Sequence, residues 1–228
     1  ALALAEAGAD VALLGRGNAS ETAARIEALG RRVHRVRRDL AEATATELAA
    51  DVAEVTDALG AVDILVNNAG IIRRAPAVEY PARDWDEVLA VNLDAVFHLS
   101  LAAGHHMLER GRGRIINVAS LLSFQGGMFV PAYTASKHAV AGLTRALANE
   151  WASAGVTVNA IAPGYMATDN TTALREDPVR ERSISARIPA GRWGTPADLQ
   201  GAFVFLASSA AAYVTGAVLP VDGGWLAR

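Results

Sequence analysis

Val62-Asp63-Ile64-Leu65-Val66-Asn67-Asn68-Ala69-Gly70 is a short apolar run that stops in two amides, an alanine and a glycine. Its length suits a strand, and its lack of alternation suits one buried on both faces, as in a parallel sheet covered by helices. Working outward, Asp10 to Leu14, Val33 to Val36, Arg114 to Val118, Val156 to Ile161 and Ala217 to Val221 read as further strands. Helical stretches lie between them at Ser20 to Leu29, Ala43 to Leu59, Asp84 to Leu108, Ala132 to Ala154 and Pro196 to Ala207. Strands alternating with helices predict an α/β fold, a Rossmann-like doubly wound parallel sheet, in a single domain over residues 1–228. Ligands of such folds bind beyond the carboxyl ends of the strands. The turn at Asn67 to Gly70 lies at one such end; Ile115-Ile116-Asn117-Val118-Ala119 delivers Ser120 to another, and Asn159 to Gly164 closes a third, followed by Thr168. The polar, Arg-rich stretch Thr168 to Thr195 is the one irregular region, where a substrate lid would sit.

Lys137 is the only lysine beside twenty arginines, and it stands four residues after Tyr133. On a solvated face Lys and Arg are nearly equivalent, so a composition this biased keeps a lysine where a compact, titratable ammonium is needed. On a helix, i and i+4 share a face, which brings the ammonium beside the phenol. That charge is expected to lower the phenol pKa and make Tyr133 a general base.

Composition narrows the function classes. A net charge of −3 gives no footprint for nucleic acid or an acidic membrane surface, and no uninterrupted apolar run approaches the roughly 18 residues of a membrane span. Zero cysteines exclude thiol catalysis and zinc-thiolate sites and fit a cytoplasmic protein. No metal site is expected: His105 and His106 are adjacent and point about 100° apart on a helix. Asp84 and Asp86 read as helix-start acids. Arg31, Arg32, Arg35, Arg37 and Arg38 read as a solvated strand edge.

Asn67-Asn68-Ala69-Gly70, Asn92, Ser120, Tyr133-x-x-x-Lys137 and Pro163-Gly164-x-x-x-Thr168 together resemble the short-chain dehydrogenase/reductase superfamily over essentially the whole chain. The resemblance implies a catalytic tetrad of Asn92, Ser120, Tyr133 and Lys137. It implies that Tyr133 exchanges the hydroxyl proton, Ser120 holds the reacting oxygen, Lys137 binds the nicotinamide ribose and Asn92 positions a relay water. It also assigns Arg16, Asp39, Asn67, Ala69, Gly70, Pro163, Gly164, Met166 and Thr168, with Tyr133 and Lys137, to the cofactor. Family members open with a strand and a glycine-rich turn that holds the pyrophosphate at a helix N-terminus. Ala1 to Ala9 look like the helix that follows that turn, so the chain is expected to lack about 25 residues relative to family length.

At the expected end of the second strand stands Gly15-Arg16-Gly17, with no carboxylate, which leans to NADP. A narrower resemblance is to a bacterial group of 2-deoxy-D-gluconate 3-dehydrogenase or 2-dehydro-3-deoxy-D-gluconate 5-dehydrogenase type. It rests on Gly70 to Arg74, Ser123 to Gly127, Tyr165 to Thr171, Arg187 to Gly194 and Asp222 to Arg228. That group is usually NAD-linked, so NAD and NADP both stay open. The implied substrate is a small sugar acid of hexuronate and pectin breakdown, whose carboxylate needs a bidentate cation. Arg73, Arg74, Arg187 and Arg192, of which one or two are expected to serve, and Gln125 are the substrate candidates. Trp225 and Leu226 are expected at a subunit contact of a homotetramer. Two other readings stay open: a 3-oxoacyl-carrier-protein or simple sugar reductase of the same superfamily, and a catalytically silent binding protein of this fold.

Overall fold

The computed structural model describes residues 1–228, the side chain of Asn170 excepted. Six strands, β1 (Val11–Gly15), β2 (Val33–Arg37), β3 (Ile64–Asn67), β4 (Gly113–Val118), β5 (Val156–Pro163) and β6 (Val218–Val221), all pair in parallel. Nine helices surround them: α1 (Leu2–Glu6), α2 (Ser20–Glu27), α3 (Ala45–Leu59), α4 (Ala82–Leu89), α5 (Ala95–Glu109), α6 (Pro131–Trp151), α7 (Thr172–Arg175), α8 (Pro178–Ser185) and α9 (Pro196–Ala207). The strands form two sheets, β1-β2 and β3-β4-β5-β6, and no described strand is hydrogen-bonded to both. The expected α/β architecture is present, with its sheet interrupted between β1 and β3. Leu14 of β1 and Leu65 of β3 nonetheless pack against the same core of Leu48, Leu99, Ile115 and Val158.

The sequence sets the boundaries through its caps. Thr44 and Glu47 form a reciprocal capping box before α3, and Gly60 ends that helix in the left-handed conformation. Thr195 and Asp198 do the same for α9, and Pro131 and Pro196 occupy first-turn positions where a missing N–H costs nothing. Seven of the eight residues of β5 are buried, the pattern of a central strand covered on both faces.

The expected helix Asp84 to Leu108 is a continuous helical run, 82–109, broken by one π-turn at Ala90–Asp94. It is long and apolar enough on average to cross a membrane, although no uninterrupted apolar run marks it. Half of its most apolar window is buried, and Leu99, Ala103 and Met107 belong to the main core. The Arg-rich stretch on β2 is held by acids rather than left fully solvated. Arg31 and Arg32 pair with Asp10, and Arg38 holds the buried Asp51 through two bonds of 2.8 Å.

Gly155 joins α6 to β5 with φ of +78°, and a Cβ there would lie 2.2 Å from the Gly111 carbonyl oxygen. Gly155→Ala is therefore expected to destabilise the fold by about 2 kcal/mol or more. At about 2–4 °C per kcal/mol for a chain of this size, the melting temperature should drop by at least about 4 °C in a thermal scan.

Candidate active site

The carboxyl ends of β3, β4 and β5 and the first turns of α6 meet at one place. Asn68, Ala69 and Gly70 leave β3 as an exposed shelf. A Cβ added at Gly70 would lie 3.5 Å from Asn92 Oδ1 and 3.7 Å from Lys137 Nζ, so both groups adjoin this shelf. Asn92 is fully buried in the π-turn between α4 and α5. Its Oδ1 accepts from the Ile71 amide at 2.8 Å, and its Nδ2 donates to the Ile71 carbonyl at 3.0 Å and to Ser136 Oγ at 3.2 Å. Single π-turns of this kind recur at functional sites, where they re-aim a side chain out of helical register.

Tyr133 and Lys137 share a face of α6, with the ammonium 5.6 Å from the phenol ring centroid. Lys137 is 3% exposed and donates to the Val118 carbonyl at 2.7 Å. An ammonium carries three donors, so two remain for a ligand beside Gly70. The loop after β4 is fixed to α6: Ser123 Oγ donates to the Lys137 carbonyl at 2.6 Å and accepts from the Ser120 amide at 3.3 Å. Ser120 caps the next turn, its Oγ accepting from the Leu122 amide at 3.1 Å.

The electrostatics differ from the expectation. Burial pushes the Tyr133 phenol up, and hydrogen bonding from Ser120 and the positive charge of Arg74 only partly oppose it. Lys137 lies over the Tyr133 ring on the same face of α6. Burial penalises its own charge and lowers its pKa to about 8. The desolvation that brings the two side chains together outweighs the attraction foreseen from their spacing.

Around this centre the sequence candidates divide. Asn67 turns its side chain inward: Nδ2 donates to Ser100 Oγ at 3.0 Å and to Asn117 Oδ1 at 2.9 Å, and Asn117 in turn donates to Thr144 at 2.9 Å. This buried ladder between adjacent strands occupies the amide that was assigned to the adenosine. Met166 buries its side chain against Gly194. Pro163 and Gly164 end β5, and a Cβ at Gly164 would lie 2.5 Å from Asp222 Cα, which requires glycine where β5 and β6 converge. Thr168 follows a segment pinned to Gly194 through the Ala167 amide at 2.8 Å. Arg16 leaves β1 exposed and pairs with Asp39 at 3.5 Å, which joins the two residues expected near the adenosine.

Two of the four arginines are committed elsewhere. Arg73 grips Glu87 with two bonds of 3.1 and 2.8 Å, and Arg192 grips Asp198 with bonds of 2.8 and 2.6 Å. Arg192 also lines a cavity of about 210 Å³ with Tyr165, Met166 and Asp222. Arg187 lies over the Trp225 ring at 4.0 Å, and Trp225 Nε1 donates to Gln125 Oε1 at 3.4 Å. Arg74 is exposed and, among the described residues, has no acidic or hydrogen-bonding partner. Trp225 is itself 4% exposed, packed on Leu121, Ile184 and Ile188 and against Tyr165. It belongs to its own subunit's core, contrary to the expectation of a subunit contact.

A buried lysine with free donors, a phenol on the same helix face and a glycine shelf at strand ends define a nucleotide-dependent oxidoreductase site. The comparisons agree with this class. The family model described as enoyl-(acyl carrier protein) reductase matches residues 1–226. The chain belongs to this short-chain dehydrogenase/reductase family, whose members are NAD(P)-dependent dehydrogenases. It is 54% identical over 232 residues to 2-dehydro-3-deoxy-D-gluconate 5-dehydrogenase of Bacillus subtilis (strain 168), covering 100% of this chain and 89% of the relative. A crystal structure described as a 2-deoxy-D-gluconate 3-dehydrogenase from Agrobacterium tumefaciens, with bound NADP, superposes with a TM-score of 0.92 at 54% identity. Another, described as an NAD(P)-dependent gluconate 5-dehydrogenase from Beutenbergia cavernae, also with NADP, gives 0.94 at 58%. The alignments cover 100% of this chain and 90% and 91% of those chains.

Proposed function

We propose that the protein is a sugar-acid dehydrogenase that interconverts a secondary alcohol and a ketone on a deoxy-gluconate-type substrate. The observation that carries the substrate class is Arg74, an exposed cation with no partner among the described residues, four residues beyond the Gly70 shelf. A guanidinium so placed suits a carboxylate held close to the reacting carbon. The names of the relatives, all sugar-acid dehydrogenases, support the same class. Arg187 and Gln125, assembled around Trp225, form a second polar group for the substrate's hydroxyls.

The nicotinamide, when bound, supplies or accepts the hydride. The remaining chemistry belongs to the chain. Tyr133 gives the proton to the nascent alkoxide in reduction and takes it in oxidation. Ser120 holds the reacting oxygen by a hydrogen bond, Lys137 holds the ribose with its two free donors, and Asn92 stations a relay water. The shelf Asn68 to Gly70 and the strand end Pro163 to Thr168 would hold the cofactor.

Arg16 supports NADP over NAD. Its one partner among the described residues, Asp39, is loosely held at 3.5 Å, so the guanidinium is available to a ribose phosphate. Arg16→Ala is expected to cost NADP(H) roughly tenfold or more in Kd, as for a lost charge-assisted bond, and to leave NAD(H) unchanged. Fluorescence titration with both cofactors checks it. Equal losses for both would remove Arg16 from the choice.

Arg74→Ala is expected to raise KM for the sugar acid by roughly 10- to 100-fold, the effect of a lost charge-assisted pair, with little change for a neutral sugar. An unchanged ratio of charged to neutral substrate efficiency would refute the carboxylate role. Exposed Phe97 and Leu101 on α5, and Phe205 and Tyr213 at and beyond the end of α9, support assembly into a homotetramer. Sedimentation at micromolar concentration tests the assembly.

A further inference from the structure

Phe129 has φ of +65°, the one non-glycine residue in the left-handed region among the described residues. For a bulky side chain this conformation is an outlier that persists only where its surroundings impose it. Packing of the ring does not explain it, because Phe129 is 50% exposed. The backbone does. The Phe129 carbonyl accepts from the Ala75 amide at 3.0 Å, a bond between the segment entering α6 and the segment that carries Arg74. Neighbouring residues leave no slack to relax it. A Cβ at Gly127 would lie 2.8 Å from both Leu122 and Val130, and Pro131, which restricts Val130, starts α6 two residues after Phe129. Tyr133 follows in the first turns of the same helix.

We propose that Phe129 is a positioning residue for substrate recognition: its left-handed backbone delivers a carbonyl to Ala75 and so fixes Arg74 on the rim above Tyr133. The inference rests on the reading of Arg74 as the carboxylate's partner. A left-handed residue turns the chain so that its carbonyl faces the 71–75 segment. A residue that refuses this region would rotate the carbonyl away, free the Ala75 amide and let Arg74 move off the rim.

The test uses two substitutions with opposite backbone preferences, assayed in the holoenzyme. Phe129→Asn loses the ring but tolerates the left-handed region, whereas Phe129→Val stays apolar and resists it. Phe129→Val is expected to raise KM for 2-dehydro-3-deoxy-D-gluconate about tenfold, to leave kcat within about twofold, and to leave a neutral sugar unaffected. Phe129→Asn should stay within about threefold of wild type on every parameter, and amide exchange at Ala75 should be fast only in the valine variant. If Phe129→Val does not fold, Phe129→Ala is read in the same assay, with a smaller rise in the same direction. A wild-type KM in the valine or alanine variant overturns the proposal. So does an equal loss on charged and neutral substrates, or an asparagine variant as impaired as the valine one. Arg74→Ala separates the two claims: if it leaves the preference for charged substrate intact, the carboxylate reading fails and the clamp with it. If it lowers that preference and Phe129→Val does not, only the clamp fails.

Discussion

Tyr133→Phe is expected to leave cofactor affinity near wild type and to lower turnover by about 10²-fold or more, the usual contribution of a general acid/base. The substitution removes one hydroxyl and keeps the ring on its face of α6, 5.6 Å from the Lys137 ammonium. The sign of the phenol's shift gives the expectation a direction in pH. Burial pushes Tyr133 up, against the pull of Ser120 and Arg74, so the free enzyme holds it protonated at neutral pH. The ketone-reducing direction would then find its proton donor ready. Alcohol oxidation needs the phenolate, so its rate should climb with pH through the neutral and alkaline range. The positive charge of an oxidised nicotinamide, when bound, would lower the pKa and shift the climb to lower pH. A Tyr133→Phe enzyme with wild-type turnover would remove Tyr133 from the chemistry.

Lys137→Arg should be nearly as damaging as Lys137→Ala, although it keeps the charge. The ammonium is 3% exposed, bonded to the Val118 carbonyl at 2.7 Å and within 3.7 Å of where a Gly70 Cβ would be. A guanidinium is wider than this space and cannot shed its proton to escape desolvation. With its pKa lowered to about 8, Lys137 is charged at neutral pH and loses the charge in mildly alkaline buffer. Cofactor affinity of the wild type should therefore weaken as pH passes about 8, and that step should vanish in Lys137→Ala. The stability linkage has the opposite trend. Between about 8 and the ordinary lysine range the unfolded chain binds more protons, so the cost of burying Lys137 is full below about 8 and fades as pH rises. Lys137→Met should accordingly melt above wild type at pH 7, with the difference shrinking by pH 10. Near-normal activity in Lys137→Arg would make the lone lysine an accident of composition.

The legible part of this chain was the part written in spacing. Tyr133 and Lys137 four apart, the amides and glycine after β3, and Ser120 after β4 fix both their elements and their common end of the sheet. Strand and helix positions followed from apolar runs, whereas the caps that set the boundaries, such as Thr44 with Glu47, and the break in the sheet between β1 and β3 were not read from the sequence. What stayed hidden depends on tertiary pairing. Glu87 captures Arg73 from fourteen residues away, Asp198 captures Arg192, and nothing in the run Arg73-Arg74 distinguishes the bound cation from the free one. The direction of the Asn67 side chain is set by Asn117 opposite it in β4 and by Ser100 of α5. The sign of the Tyr133 shift depends on burial, which spacing does not reveal. Between Thr168 and Thr195, α7 and α8 escaped notice because they are short and polar. Asp177 caps α8, and Ile184 and Ile188 seat the segment on Trp225.

The most direct measurement is a steady-state comparison of 2-dehydro-3-deoxy-D-gluconate, 2-deoxy-D-gluconate, glucose and an acetoacetyl thioester, each with NAD(H) and with NADP(H). The site described predicts kcat/KM for the sugar acids well above that for glucose, because Arg74 would be left without its partner when the ligand lacks a carboxylate. It also predicts the higher values with NADP(H). Equal efficiency on charged and neutral sugars, or a preference for the thioester, would contradict it.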